Sequence, residues 1–119
     1  MLNHLGLRTA QFDALLAFYK ATLAPIGYTV MMEYPGAAGL GKSDADFWIG
    51  ADEKGGSNVH LAFKTDDRSV VGAFYEAALA NGGKDNGAPG LRDYSPTYYA
   101  AFVIDPDGNN LEVFCTAAQ

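Results

Sequence analysis

The chain has 119 residues, of which 49% are apolar and 18% charged, so it can bury a core, and an intrinsically disordered chain is excluded. Its net charge of −6 disfavours binding to nucleic acids and to anionic membrane surfaces. One cysteine excludes an intrachain disulfide and suits a reducing cytoplasm. No apolar run reaches the ~20 residues of a membrane helix, and no secretory signal is expected. We therefore predict a single cytoplasmic domain over residues 1–119.

The first half of the chain predicts a strand, a helix and three more strands. Residues 2–7, around His4, predict a strand, and Thr9 is placed to cap the following helix. Apolar side chains at 15, 18, 19 and 23 lie on one face of that helix, and Gly27 marks its end. Residues 28–34, 38–41 and 47–49 predict strands separated by turn signals.

The second half repeats this pattern after a glycine-containing joint at 54–57. Residues 73–83 align without gaps on 17–27, and seven of the eleven pairs are identical, at an offset of 56. The strands of this half are predicted at 58–63, 84–91, 98–104 and 110–115, and Thr65, like Thr9, is placed to cap the following helix. We therefore predict an α+β fold of two β-α-β-β-β units, with the internal repeat spanning 1–53 and 58–116 and related by a pseudo-twofold axis.

Two histidines occupy equivalent positions of the repeat. The offset set by the helices pairs His4 with His60, and the pseudo-twofold would turn both imidazoles towards one cavity. Glu112 lies in the middle of an apolar final strand, where a carboxylate is costly to bury unless it is paired or metal-bound. Two histidines and one carboxylate leave coordination positions open and suit Fe(II), Mn, Ni or Zn. The alternative is that each histidine is an ordinary surface or hydrogen-bonded residue.

The run at 105–114, Asp-Pro-Asp-Gly-Asn-Asn-Leu-Glu-Val-Phe, resembles the last turn and strand of the vicinal oxygen chelate superfamily. That superfamily includes glyoxalase I, extradiol dioxygenases, and fosfomycin- and bleomycin-resistance proteins, and the resemblance covers residues 2–114. It implies a curved mixed sheet around a cavity shared by the two units, with His4, His60 and Glu112 as metal ligands on the first, fifth and eighth strands. It also implies a homodimer.

The resemblance breaks at the fourth strand. In glyoxalase I that strand also supplies a glutamate, but matching residues 46–49 to 110–113 puts Trp48 at the equivalent position. Trp48 is then a wall of the cavity. Asp46 shares its strand face and could substitute as a ligand if the register slips, or it could be a solvated turn residue.

Three further positions merit interpretation. Arg92 lies near the predicted cavity mouth and could hold a substrate carboxylate, the alternative being an exposed turn arginine. Of Tyr98 and Tyr99, which are adjacent on a strand, one can face the cavity and orient a ligand or relay a proton. Cys115 faces away from Glu112 and is interpreted as a buried or interfacial apolar residue.

Taken together, these features imply a metal-dependent enzyme acting on a small molecule. The metal would chelate adjacent substrate oxygens and stabilise an enolate or oxyanion, in a lyase, isomerase or dioxygenase reaction whose base is unassigned. The alternative is a protein of the bleomycin-resistance kind, in which an aromatic lining of Trp48, Tyr98 and Phe102 in an acidic chain binds a cationic planar ligand. A third possibility is a metal-free module that binds a partner protein.

Overall fold

Eight strands and two α-helices form two β-α-β-β-β units in the computed structural model, which describes residues 1–118. The first unit comprises β1 (Leu5–Thr9), α1 (Phe12–Leu23), a 3-10 turn (Ala24–Ile26), β2 (Thr29–Tyr34), β3 (Ala37–Gly41) and β4 (Ala45–Ala51). The second comprises β5 (His60–Lys64), α2 (Arg68–Ala80), β6 (Lys84–Leu91), β7 (Tyr99–Ile104) and β8 (Asn110–Cys115). The predicted α+β class and its paired units are confirmed.

Each unit contributes one four-stranded mixed sheet. The strand orders are β1-β4-β3-β2 and β5-β8-β7-β6, so in each sheet the first strand of the unit lies at one edge and pairs with the last strand of the unit. They pair in parallel, with Gly6 opposite Trp48 in one sheet and Ala62 opposite Glu112 in the other. A parallel pair needs a crossover connection, which the helix and the two intervening strands supply.

The two helices pack against each other and against the inner faces of the sheets, so both units share one apolar core. The largest buried side chains of that core are Leu7, Leu15, Phe18, Tyr19, Leu23, Leu40, Phe47, Ile49, Val71, Phe74, Val103 and Leu111. The opposite face of each sheet carries no helix. On the first sheet that outer face, with Gly6, Arg8 and Trp48, lines a cleft of about 340 Å³.

Two local predictions at the strand-to-helix junctions are wrong. Thr9 and Thr65 do not cap the helices. The N-cap positions are Gln11 and Asp67, two residues further on, and the helices begin at Phe12 and Arg68. Instead, each threonine hydroxyl accepts a hydrogen bond from the backbone N–H of the residue that precedes the helix, at 3.0 and 3.3 Å. The chain needs a short turn to leave the strand before it can wind into a helix, and the threonine orders that turn.

The start of the first strand also differs from the prediction. β1 begins at Leu5, so His4 precedes the strand rather than lying on it, whereas His60 is the first residue of β5. Residues 1–4 are exposed.

The turn that carried the family resemblance is built around a buried carboxylate. Asp105 Oδ1 accepts hydrogen bonds from the backbone N–H groups of Asp107 and Asn109, and Oδ2 accepts from the Tyr19 hydroxyl at 2.6 Å and from Asn109 Nδ2. The Asn109 amide oxygen in turn accepts from the Val59 N–H at 2.9 Å. The turn therefore ties α1 and the start of β5 to β8, which fixes the position of the last strand.

Among the described residues, no helix combines the length and the apolar character that crossing a membrane requires.

Candidate functional site

A buried carboxylate on the outer face of the second sheet forms the centre of the site. Glu112 lies in the middle of β8 and is only 2% exposed. Its Oε1 lies 2.9 Å from His60 Nε2, and its Oε2 accepts a hydrogen bond from the Tyr98 hydroxyl. Each carboxylate oxygen therefore has one partner, and the two partners come from different segments of the chain.

The pairing of strands explains this convergence. β5 runs parallel to β8 with Ala62 opposite Glu112, so that His60, two residues away, projects from the same face. On the other side of β8, Phe102 of β7 lies opposite Glu112, and its ring centroid is 6.2 Å from that of His60. The carboxylate thus has an imidazole along one neighbouring strand and a phenyl ring on the other.

Tyr98 is held in place by stacking. Its ring lies parallel to that of Phe114, with the centroids 4.9 Å apart and an interplanar angle of 3°. Burial, followed by the hydrogen bond to Glu112, raises the pKa of Tyr98 above its ordinary value. The hydroxyl is therefore a protonated donor at neutral pH. Tyr99 faces the opposite side of the sheet, where the Arg68 guanidinium lies 4.8 Å from its ring centroid.

The donor set fits two adjacent ligands of a divalent metal. Two ligands at right angles, each about 2.1 Å from one ion, are roughly 3.0 Å apart, and His60 Nε2 and Glu112 Oε1 are 2.9 Å apart. The His60 side chain is 54% exposed, so the side of the pair away from β8 is open to further ligands. An imidazole with a carboxylate suits the first-row divalent metals.

The third predicted ligand does not join this pair. His4 is exposed, and its Nδ1 lies 2.8 Å from the Asn3 side-chain oxygen. It borders a cavity of about 230 Å³ whose lining includes Asp46 and Ala62. Within residues 1–118 no three His, Cys, Asp or Glu side chains are grouped to hold a metal ion. The structure thus brings together two of the three predicted ligands.

Asp46 is a partly buried strand residue rather than a solvated turn residue. It lies in β4, and its two carboxylate oxygens accept from the Tyr28 hydroxyl at 2.8 and 3.0 Å. Burial and this hydrogen bond raise the pKa of Tyr28 to about 12. Tyr28 is not among the site residues predicted from the sequence. Its hydroxyl donates to the carboxylate of Asp46, the residue predicted as an alternative metal ligand.

Trp48 occupies the position in the first unit that Glu112 occupies in the second. Trp48 pairs with Gly6 and Gly39, as Glu112 pairs with Ala62 and Phe102. A Cβ atom on Gly39 would lie 2.8 Å from the Trp48 ring, so the indole lies over the glycine. Trp48 Nε1 donates to the Ala45 carbonyl at 3.1 Å, which fixes the ring. The first unit therefore presents an aromatic platform where the second presents a carboxylate.

Arg92 lies beside the carboxylate centre and not in an exposed turn. Its guanidinium carbon is 5.4 Å from the Phe102 ring centroid, and its Nη atoms donate to the carbonyls of Ala88 and Gly90. Cys115 is fully buried in the apolar core, as its sequence context predicted.

Gly39 is the residue of this region that sequence analysis missed. The repeat shows that Trp48 occupies the position equivalent to a carboxylate. That the indole lies over Gly39 of β3 is decided by the register of the sheet. The pairing of β3 with β4 has an irregularity one step further along, where Asp46 of β4 is skipped between the partners of Leu40 and Gly41, and no sequence signal marks it.

The comparisons with known proteins agree with this architecture. Residues 1–113 match the model of the Glyoxalase/Bleomycin resistance protein/Dioxygenase superfamily. A glyoxalase/bleomycin resistance protein from Albidiferax ferrireducens T118 is 25% identical, with a TM-score of 0.80 over 95% of this chain and 96% of that chain. None of the curated proteins matches the chain significantly.

Two other solved structures share the fold. A glyoxalase I variant from Zea mays is 22% identical, with a TM-score of 0.72 over 98% of this chain and 45% of that chain. A bleomycin-binding protein complexed with bleomycin is 22% identical, with a TM-score of 0.63 over 92% of this chain and 93% of that chain. Because the family model covers nearly the whole sequence, the chain belongs to the Glyoxalase/Bleomycin resistance protein/Dioxygenase superfamily.

Proposed function

We propose that the chain is a metal-dependent enzyme acting on a small molecule, with a divalent ion, Fe(II), Mn, Ni or Zn, held by His60, Glu112 and His4. The observation that carries the proposal is the 2.9 Å separation of His60 Nε2 and Glu112 Oε1, with the carboxylate buried in the middle of β8. A nearly fully buried carboxylate with a half-exposed imidazole beside it is a costly arrangement for stability alone. Metal binding would offset that cost.

The residues around the pair have definite tasks in such a site. Tyr98 holds Oε2 of Glu112 through its hydroxyl, so Oε1 is the oxygen left beside His60. Phe102 and Phe114 exclude water from the flanks of the carboxylate. A divalent ion bound there would polarise two adjacent substrate oxygens and stabilise the negative charge that develops on them, as lyase, isomerase and dioxygenase reactions of such substrates require.

His4 is the proposed third ligand, and it must approach the pair from outside the second unit. It can come from the N-terminal segment of the same chain or from that of a second copy in a homodimer. Mixing two inactive variants separates these routes: His4→Ala and His60→Ala proteins, refolded together, regain metal only if one site draws on both copies. In that case every mixed dimer carries one intact site, and about half of all dimers formed by random pairing are mixed.

Metal analysis of protein purified without chelator tests the proposal directly. We expect roughly one divalent ion per chain in the wild type, and its loss in the His60→Ala, Glu112→Gln and His4→Ala variants. Asp52→Asn is a matched control, because Asp52 is a carboxylate paired with Arg8 away from the site. Full metal content in both His60→Ala and Glu112→Gln, with the fold intact by circular dichroism, would refute the site.

A second candidate function is the binding of a cationic planar ligand, and the first unit favours it. The rings of Tyr34 and Trp48 are nearly parallel, at 11°, with centroids 6.4 Å apart, and Tyr34 is 51% exposed. A shallow pocket beside Trp48 is lined by Asp44 and Asp46, whose charges suit a cation. Structural similarity to a bleomycin-binding protein supports the same idea.

This second function makes a separate prediction. With chelator present, a cationic aromatic ligand should raise the melting temperature of the wild type, and a neutral ligand of the same shape should not. Trp48→Ala should abolish the rise in melting temperature, because the cationic planar ligand would lose the indole surface against which it packs. Equal shifts with both ligands, or an unchanged shift in Trp48→Ala, would exclude it.

A further inference from the structure

Strand β6 is shaped to receive the guanidinium of Arg92. A Cβ atom on Gly87 would lie 3.1 Å from Arg92 Nη2, and one on Gly90 would lie 3.2 Å from Nη1. Gly87 also has a φ of +148°, a conformation that other residues rarely adopt. Two of the eight residues of β6 are therefore glycines that leave space for one cationic side chain.

The hydrogen bonds of this guanidinium use only part of its donor capacity. Nη1 donates to the Gly90 carbonyl at 2.9 Å, with a long contact of 3.4 Å to the Leu91 carbonyl, and Nη2 donates to the Ala88 carbonyl at 2.8 Å. An arginine has five N–H donors in a fixed planar fork. The Nε–H and one Nη2–H are not used by these contacts, and the Nε and Nη2 atoms lie along the same edge of the guanidinium.

Arg92 also has no acidic partner in the part of the chain that the structure describes. The ion pairs found in residues 1–118 join Arg8 to Asp52 and His60 to Glu112. This is notable in a chain with fourteen acidic and eight basic residues. The backbone carbonyls orient the guanidinium and leave its positive charge uncompensated, so it can bind an anion.

The position of Arg92 relates that anion to the carboxylate centre. Both groups neighbour the Phe102 ring: the Arg92 guanidinium carbon lies over it, 5.4 Å from its centroid, and the His60 ring centroid is 6.2 Å from the same point. A ligand lying across Phe102 therefore reaches His60 with one end and Arg92 with the other. Its body is about the size of one aromatic ring.

We propose that Arg92 is the specificity residue of this site and that it selects a small ligand bearing a carboxylate group. The proposal rests on the proposed function in taking His60 and Glu112 as the chemical centre. A free edge with two parallel N–H donors matches the two oxygens of a carboxylate in a bidentate pair. A phosphate dianion carries two negative charges, which a single guanidinium would leave partly uncompensated.

Benzoate and benzamide are suitable probes, because they have the same planar shape and differ in charge. The chain has three arginines, Arg8, Arg68 and Arg92, so the arginine Nε–H region of a 15N-labelled sample contains three signals. In chelator-treated protein we expect benzoate to shift the Arg92 signal in a saturable way and to leave the Arg8 signal in place. Benzamide should shift neither. Equal shifts by both probes, or parallel movement of the Arg8 signal, would overturn the proposal.

Variants give the second measurement. Arg92→Met should weaken benzoate binding about tenfold or more, as followed by the shift of the Phe102 and Tyr98 ring signals. Arg92→Lys keeps the positive charge but loses the planar pair of N–H donors. Its benzoate affinity should therefore lie between those of the wild type and Arg92→Met. Arg8→Met is the matched control, because it removes the same charge from a surface ion pair and should leave the affinity within about twofold. Unchanged affinity in a folded Arg92→Met protein would refute the assignment.

Metal analysis of the same protein before chelator treatment separates this proposal from the proposed function. Protein that holds a divalent ion through His60 and Glu112 but shows no benzoate response at Arg92 would refute the carboxylate site alone. Protein that responds to benzoate through Arg92 but binds no metal would support the anion site and refute the metal-dependent function. Inorganic phosphate, tested in parallel, should bind more weakly than benzoate; tighter phosphate binding would overturn the choice of a carboxylate.

Discussion

Tyr19→Phe removes one hydroxyl group from the core and leaves the rest of the side chain in place. Tyr19 is completely buried, and its hydroxyl donates to Asp105 Oδ2 at 2.6 Å. Asp105 is itself 3% exposed and accepts three other hydrogen bonds, all from within its own turn. The substitution therefore cuts the hydrogen bond that joins α1 to the turn before β8.

The expected loss of stability is about 2 kcal/mol. A hydrogen bond to a charged group contributes roughly 1.5–3 kcal/mol, and water cannot readily replace it beside a buried carboxylate. For a chain of this length, each 1 kcal/mol corresponds to a change in melting temperature of about 4 °C. The melting temperature of Tyr19→Phe should therefore fall by roughly 8 °C.

The internal repeat supplies a matched control. Tyr75 occupies the position equivalent to Tyr19, and its hydroxyl donates to Asp85 Oδ1 at 3.0 Å in an exposed setting. Tyr75→Phe removes the same group from the same kind of pair, but water can replace the lost hydrogen bond there. Its melting temperature should hardly change.

Urea unfolding followed by circular dichroism measures both variants, with the slope of the transition checked for constancy. Equal losses in Tyr19→Phe and Tyr75→Phe would show that burial does not decide the strength of these hydrogen bonds. A loss below about 0.5 kcal/mol in Tyr19→Phe would refute the conclusion that the buried turn is anchored by α1.

Three further outcomes are expected. Burial and the nearby Asp105 raise the pKa of Tyr19 above its ordinary value of 10.0, so the contribution of its hydroxyl to stability should be complete below about pH 10 and decline above it. The free energy of unfolding of the wild type minus that of Tyr19→Phe, measured against pH, should show this decline. A difference that stays constant with pH would contradict it. Gly39→Ala should displace the indole of Trp48, the single tryptophan, and shift its fluorescence to longer wavelength, whereas Gly50→Ala, where an added Cβ contacts nothing within 4 Å, should leave the spectrum unchanged. Cys115→Ser should destabilise the fold by about 1–3 kcal/mol in thermal unfolding, because it puts a hydroxyl into a fully apolar part of the core, and a milder effect of Cys115→Ser than of Cys115→Ala would argue against that environment.

Local sequence signals predicted the elements of the fold well. Helical periodicity located α1 and α2, and the repeated block of eleven residues indicated that the two halves share one topology. These predictions are correct because amphipathic spacing reflects which face of each element is buried, and that spacing is a property of contiguous residues. The prediction that Thr9 and Thr65 cap the helices was wrong because a threonine hydroxyl can either order a turn or cap a helix, and the sequence does not distinguish the two roles.

The site was predicted less completely. Strand alternation correctly put Glu112 on the face opposite Cys115, and His60 lies beside it. The repeat also paired His4 with His60, but His4 precedes its strand and, among the described residues, is not grouped with His60 and Glu112. An equivalent repeat position determines which residues correspond and does not bring their side chains together.

The sequence alone determined the two β-α-β-β-β units, the family and the correspondence between Trp48 and Glu112. Only the tertiary structure decided that Tyr98 bonds Glu112, that Gly39 receives the Trp48 ring and that Arg92 lies over Phe102. Periodicity is a local property of the chain, so it can be read from neighbouring residues. Contacts between strands depend on register and on bulges, which are set by the packing of the whole sheet and leave little trace in any one segment.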